Sequence, residues 1–390
     1  MTILAARTNE TVTFHAVELL KKANELRRAG KDIISLGVGE PDFTAAAPVV
    51  EAMQRAARDG LSAYSAPAGL PQLREAIAEF YGNQLGAPVD ASRVIVTTGA
   101  SGALLLAALA LVNPGDEVLM PDPCYPPNRN FIGAAGGTTR LIPTTPAARY
   151  QLSATDVESH WGPSTRGVLI ASPSNPTGTS IDHDALAQLI HVVRARSGFV
   201  MMDEIYLSLS YEGTPRSALT LDDDLIILNS FSKYFDMTGW RLGWMIVPPD
   251  MVAAVEKMAA SLAICAPTLA QYGAVACFEA DSLAIFEERR RAFAARRDYI
   301  LPELTGMGIR VPVVPDGAFY VYGDVSAHAN DSYALSTDLL LNAQVAAVPG
   351  IDFGPTHARQ MMRFAYTTGM ERLEEAMHRM RHYLASRQGY

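Results

Sequence analysis

The stretch VIVTTGASGALLLAALALVNPGD, Val94 to Asp116, decides the architecture. Its first five residues are all β-branched and end at a turn, the composition of a buried strand. An Ala- and Leu-rich run from Gly102 to Val112 follows, and Asn113-Pro114-Gly115-Asp116 stops it, so the unit reads strand, helix, turn. Working outward, Glu117 to Met120, Gly167 to Ala171, Phe199 to Met202 and Leu225 to Leu228 are short apolar runs, with a helical pattern at Leu186, Leu189, Ile190 and Val193 between two of them. Strands that are apolar on both faces belong to a mostly parallel sheet covered by helices. The expectation is an α/β domain over residues 45–280.

From Asp281 the pattern changes. Phe286, Phe293 and Ile300 recur on one long helix, whose other face carries Arg289, Arg290, Arg291, Arg296 and Arg297 and reads as a solvated polar face, the alternative being an anion site. Ala318 to Tyr322 and Met362 to Tyr366 read as strands. Thr368 and Glu371 have capping-box spacing ahead of a helix with Leu373, Met377, Met380 and Leu384 on one side. Residues 281–390 are expected to form a smaller α+β domain that recruits the N-terminal segment 1–44, with its helix from about Phe14 to Ala29. Two domains suit 390 residues at roughly 150 residues each.

Composition narrows the function. Lys plus Arg at 32 against Asp plus Glu at 41 gives a net charge of −9, which repels phosphate backbones and anionic lipid and excludes nucleic-acid and membrane-surface partners as expectations. Cys124, Cys265 and Cys277 form no CxxC pair and have no ligand-spaced His or carboxylate nearby, so they read as reduced thiols in a cytoplasmic protein without a metal site. Met1 to Glu10 holds no apolar run long enough for a signal segment, and Ala103 to Val112 is far short of the roughly 20 residues that span a bilayer.

The chemistry concentrates in NSFSKYFDMTGWRLG, Asn229 to Gly243. Lys233 follows a β-rich run, sits beside Ser230 and Ser232, and precedes Arg241; its surroundings are anion-binding groups. A lysine amine condenses with an aldehyde only when neutral, and cationic neighbours favour that form; the alternative is a surface lysine in a Ser-rich loop. SPSNPTG (Ser172 to Gly178) is a turn in which Asn175 either donates an amide hydrogen bond into a cleft or only shapes the turn. FVMMDEIY (Phe199 to Tyr206) puts Asp203 and Glu204 at a strand's end, where open α/β sheets bind ligands; there Asp203 either holds a protonated pyridine nitrogen or caps a helix. Gly99-Ala100-Ser101-Gly102 offers backbone N–H groups to a phosphate, or is merely a tight turn.

Together with LGVGEPDF (Leu36 to Phe43), YSAPAGLPQLR (Tyr64 to Arg74) and RFAYTTG (Arg363 to Gly369), these segments resemble, in order and separation, the fold-type-I pyridoxal-phosphate enzymes and within them the class I/II aminotransferases related to aspartate and aromatic aminotransferases. The resemblance implies a large domain on a mostly parallel seven-stranded sheet flanked by helices, with a smaller α+β domain. It implies that Lys233 holds pyridoxal 5′-phosphate covalently and, once released by substrate, carries the proton at Cα. By the same resemblance Asp203 pairs with the ring nitrogen, Asn175 and Tyr206 bond the ring's phenolic oxygen, and Tyr125 stacks on the ring. Ala100, Ser101, Ser230, Ser232 and Arg241 cradle the phosphate. Tyr64 reaches the phosphate of a neighbouring subunit, which implies a homodimer with shared sites, while Arg363 clamps the substrate α-carboxylate and Gly39 closes over it. Cys124, next to Tyr125, either packs or touches the site's edge.

The implied activity is ping-pong transfer of an amino group between an L-amino acid and a 2-oxo acid. The same fold and lysine also serve C–S β-lyases, decarboxylases and cyclopropane-forming synthases. A pyridoxal-phosphate-binding regulator is disfavoured because the aminotransferase pattern begins almost at Met1. Dicarboxylate-specific relatives add a second cation for the side-chain carboxylate, either a lysine in the phosphate loop or an arginine from the neighbouring subunit. Here that loop reads Gly99-Ala100-Ser101, and Ser261 falls about where the arginine is expected. A carboxylate buried without a partner is costly, so neutral aliphatic or aromatic donors are expected to react better than aspartate.

Overall fold

A computed structural model of the chain describes residues 4, 5, 8 and 15–387. In chain order its strands are β1 (Ile34–Ser35), β2 (Val94–Thr97), β3 (Glu117–Asp122), β4 (Thr138–Pro143), β5 (Thr165–Ala171), β6 (Phe199–Asp203), β7 (Ile226–Ser230), β8 (Gly243–Ile246), β9 (Tyr320–Asp324), β10 (Val345–Ala346), β11 (Val348–Pro349) and β12 (Met361–Ala365). Seven form the main sheet in the order β2-β8-β7-β6-β5-β3-β4. All its neighbours pair parallel except β8, which runs antiparallel to both β2 and β7. The sheet is thus the mostly parallel, helix-flanked one expected.

Its period-2 alternation divides two apolar layers. Ile95, Leu169, Met201, Leu228 and Met245 pack on one side with Ala103, Ala107 and Val255 of the helices Gly99–Leu111 and Val252–Ala263. Their chain neighbours Val94, Val168, Val200, Ile227 and Trp244 face the other layer, with Leu73, Ile77 and Leu189. Because both faces are covered, the strands read as unbroken apolar runs. Two strands escaped that reading. β4 is an edge strand, largely exposed on one face, and β8 is concealed inside the Lys233 motif.

A separate three-stranded antiparallel sheet, β11-β12-β9, packs through β9 with the helix Ala280–Gly306, which packs in turn on the helix Met370–Arg387. Helix His15–Arg28 buries Leu19 and Ala23 against Leu340 and Ala346, and β1 pairs parallel with β10. Phe14, the expected start of that helix, lies outside the described residues. The arginine face of Ala280–Gly306 departs from expectation. Arg291 is exposed, but Arg289 pairs with buried Asp236, Arg296 makes a two-pronged ion pair with Asp42, and Arg297 is largely covered. Arg289 and Arg296 also lie over the Phe43 ring, 5.1 and 5.2 Å from its centroid. Their guanidinium groups join this helix to the segment 42–44, where carboxylates, a carbonyl and an aromatic face replace water. No described helix is long and apolar enough to cross a membrane.

Candidate active site

The carboxyl ends of the parallel strands open into one cleft, as expected for open α/β sheets. Its wall carries every candidate residue except Tyr64. Asp203 is the last residue of β6 and Ser230 the last of β7, with Tyr206, Ser232 and Lys233 in the turns that follow. Asn175 lies in the turn after β5, held by hydroxyl contacts from Ser174 to Thr177 (2.6 Å) and Thr177 to Thr179 (2.7 Å). Gly39 follows β1, and Arg363 sits in mid-β12.

Lys233 Nζ donates to Gly39 O at 2.6 Å. Burial pushes the amine down to about 8, with Arg363 and Arg241 pushing the same way against Glu40 and Asp203. Asp203 is buried, accepts the Ile205 N–H at 3.1 Å, and is raised to about 6 by desolvation despite that bond and Lys233. A carboxylate in this position favours a cationic partner.

The 99–102 segment is the first turn of helix Gly99–Leu111 rather than a separate loop, so its unpaired N–H groups and helix dipole face the cleft. Gly99 has φ +68°, and a Cβ there would lie 2.6 Å from Arg241 Nη2. Glycine therefore lets the guanidinium come against the helix start. Ser230 Oγ and Ser232 Oγ, 2.9 Å apart, complete a cradle of donors suited to an oxyanion such as phosphate.

Opposite lies Arg363, whose Nη1 donates to Asn175 Oδ1 (2.9 Å) and Nη2 to Gly37 O (2.7 Å). Its Nε is buried with no hydrogen-bond partner among the described residues, a donor left for an anionic ligand. The guanidinium is 4.5 Å from the centroid of Tyr320 and 5.1 Å from that of Phe353. Tyr320, a cleft residue the sequence reading missed, shares a 2.8 Å hydroxyl contact with Tyr206. The one available signal was its place on β9, whose register puts Tyr322 beside Arg363. Ala16, Val17 and Leu20 of helix His15–Arg28 also line the cleft and were likewise missed. Cys124 is buried, its N–H donating to Phe353 O and its thiol pushed up to about 12 by burial. That favours the packing alternative. Tyr64 is 78% exposed and outside the cleft of the single chain.

Comparison with known proteins agrees with this geometry. Residues 31–380 match the family model described as aminotransferase class I and II. The valine–pyruvate aminotransferase of Mycobacterium tuberculosis is 37% identical over 375 residues, covering 96% of either chain. The aspartate aminotransferase of Thermotoga maritima is 34% identical, covering 99% of this chain and 100% of its own. Among solved structures, an aminotransferase from M. tuberculosis superposes with a TM-score of 0.95 at 36% identity, covering 99% of this chain and 100% of that one. The Thermus thermophilus aspartate aminotransferase with maleate gives 0.93 at 34%, covering 98% and 100%. With the fold, the cleft and these relatives in agreement, the chain belongs to the class I and II aminotransferases, and it is an enzyme of that type.

Proposed function

We propose that the enzyme binds pyridoxal 5′-phosphate on Lys233 and transfers amino groups, by a ping-pong mechanism, from neutral aliphatic or aromatic L-amino acids to a 2-oxo acid. The observation that carries this reading is the enclosure of the Lys233 amine in one cleft with Asp203, a donor cradle and the unpartnered Arg363 Nε, a burial that also pushes the amine down to about 8. The bound cofactor supplies an aldehyde for the amine and a cationic ring that draws electron density from Cα. At pH 7 a lysine at 8 is neutral in about one molecule in ten, against roughly one in 2,500 for an ordinary lysine. Lys233 is thus able to take and return the proton at substrate Cα. Asp203 would pair with the ring nitrogen and keep it protonated. Tyr206 and Asn175 would bond the ring's phenolic oxygen, Tyr125 would cover the ring, and Ala100, Ser101, Ser230, Ser232 and Arg241 would hold the phosphate. Arg363 takes the substrate carboxylate with its fork, and Gly39 bounds that subsite.

The donor preference rests on the charges of the cleft. Among its described lining residues the cations are Lys233, Arg241 and Arg363, each already assigned, while Val17, Leu20 and Val348 add apolar wall. The M. tuberculosis relative named for valine supports the same preference. Division of the chain at 44/45 and 280/281, cytoplasmic location, and a homodimer in which Tyr64 completes the partner's site belong to this reading; the exposure of Tyr64 supports the last. The test is a half-reaction screen in which each common amino acid is mixed with cofactor-loaded enzyme and loss of the visible band is timed. Alanine, leucine or phenylalanine should exceed aspartate in kcat/KM. An aspartate preference would overturn the donor assignment, and pyruvate with ammonia formed without an acceptor would favour a β-lyase.

A further inference from the structure

The turn that carries Lys233 is fastened to a helix that supplies none of the cleft residues. Two positions of the turn, immediately after the lysine and three residues on, reach the long helix Ala280–Gly306. Tyr234 donates its hydroxyl to Glu287 Oε1 at 2.8 Å, and Asp236 accepts from Arg289 Nη1 at 2.8 Å. Asp236 is buried and has φ +53°, a left-handed conformation uncommon for a residue with a Cβ, and its N–H closes the turn on Lys233 O. The same Arg289 nitrogen donates to Thr44 O at 2.6 Å. Seven residues along the helix, Arg296 grips Asp42 with both prongs, at 2.7 and 3.0 Å. The segment so held runs back through Gly39, whose carbonyl accepts from Lys233 Nζ, to Gly37, whose carbonyl accepts from Arg363. One guanidinium therefore ties together the lysine-bearing turn and the chain segment that touches both the lysine amine and the carboxylate-binding arginine.

We propose that Asp236 and Arg289 are positioning residues for Lys233, setting where its amine sits relative to Gly39 and Arg363. This rests on Lys233 being the reactive group of the proposed function. Neither residue lines the cleft. A joint serving only to hold two layers together would not need a buried carboxylate in a left-handed turn beside the lysine, and Arg296 with Asp42 already provides such a link. Asp236 itself is not in direct contact with the amine, so its effect is on placement. Without the pair the turn relaxes, the amine leaves Gly39 O for more hydrated surroundings, and the burial that holds it near 8 diminishes.

The test reads Lys233 itself, in the full chain without cofactor. Acetic anhydride labels amines at a rate that follows their neutral fraction, and peptide mapping against pH gives the titration midpoint of Lys233 separately from every other lysine. Asp236→Asn keeps the shape and removes the charge; Arg289→Lys keeps the charge and removes the fork; Arg291→Gln, exposed on the same helix, is the control. Both joint variants should raise the proton affinity of Lys233 at least threefold, and the control should leave it unchanged. In the double variant the shift should be no larger than in the stronger single one, because the two residues act as a unit. A shift below threefold in both single variants, with or without a lowered melting temperature, overturns the proposal and leaves the pair a structural link. Because cofactor is absent, this outcome is separate from whether the enzyme binds pyridoxal phosphate, which the wild-type visible spectrum reports.

Discussion

Gly39→Ala tests the close packing that brings the carboxylate subsite to Lys233. A Cβ at position 39 would lie 2.5 Å from Tyr320 Oη, but 3.5 Å from Cζ and 3.7 Å from Cε1. The hydroxyl must move by about 1 Å to reach ordinary contact. It has little freedom to do so, since Tyr320 is fully buried, bonded to Tyr206 and covered by the Arg363 guanidinium. Overpacking of this kind costs about 1–3 kcal/mol. If the segment yields instead, Gly39 O shifts from Lys233 Nζ, and a displacement of roughly 1 Å in a reacting group costs up to about 100-fold in rate. Tyr320→Phe removes the offending atom and leaves the ring edge at an acceptable distance, losing only the hydroxyl bond to Tyr206, about 1 kcal/mol. The double variant should therefore resemble Tyr320→Phe alone rather than the sum of the two, with a coupling of about 2 kcal/mol. Denaturant midpoints and kcat/KM for the four proteins measure it. A wild-type midpoint for Gly39→Ala, or additive losses in the double variant, would refute the steric argument.

Asp203→Asn should act oppositely on stability and on activity. The folded carboxyl is raised to about 6 from an unfolded value near 3.8, so its contribution is fully present below about pH 4 and is lost as pH rises through 6. At pH 8 the cofactor-free Asn variant should thus be more stable than wild type, by about 2–3 kcal/mol at most, while single-turnover deprotonation slows; a less stable variant at pH 8 would contradict the burial argument. Arg363→Lys, which loses the planar fork, should raise KM for the amino acid at least tenfold, and an unchanged KM would remove the carboxylate assignment. Mixing Lys233→Ala with an inactive Tyr64→Phe should restore activity through hybrid dimers containing one native site. No recovery despite demonstrated subunit exchange would mean that each site is built from one chain.

The sequence made the sheet visible where burial on both faces left continuous apolar runs, as in Val94–Thr97 and Phe199–Asp203, and hid it where that condition failed. Thr138–Pro143 is exposed or half-exposed everywhere but at Ile142, and Gly243–Ile246 follows Arg241 so closely that its role as the main sheet's lone antiparallel strand is invisible to periodicity. Local motifs found most of the cleft residues because they follow a strand's carboxyl end by a few positions, whereas Arg241 precedes β8 and Arg363 lies within β12. Tyr320 and the Val17–Leu20 face come from elements remote in sequence, placed only by tertiary packing. The arginines of Ala280–Gly306 had the spacing of a solvated face. What distinguishes them is their partners, Asp42, Thr44 and Asp236, which no helical pattern reveals.

Locating the bound cofactor decides whether Lys233 is the reactive lysine. Enzyme loaded with pyridoxal 5′-phosphate is reduced with borohydride, digested and mapped by mass spectrometry. A single pyridoxyl adduct should appear on Lys233 and be abolished in Lys233→Ala together with turnover. Labelling of a different lysine, no stable incorporation, or a Lys233→Ala variant with wild-type activity would contradict that assignment.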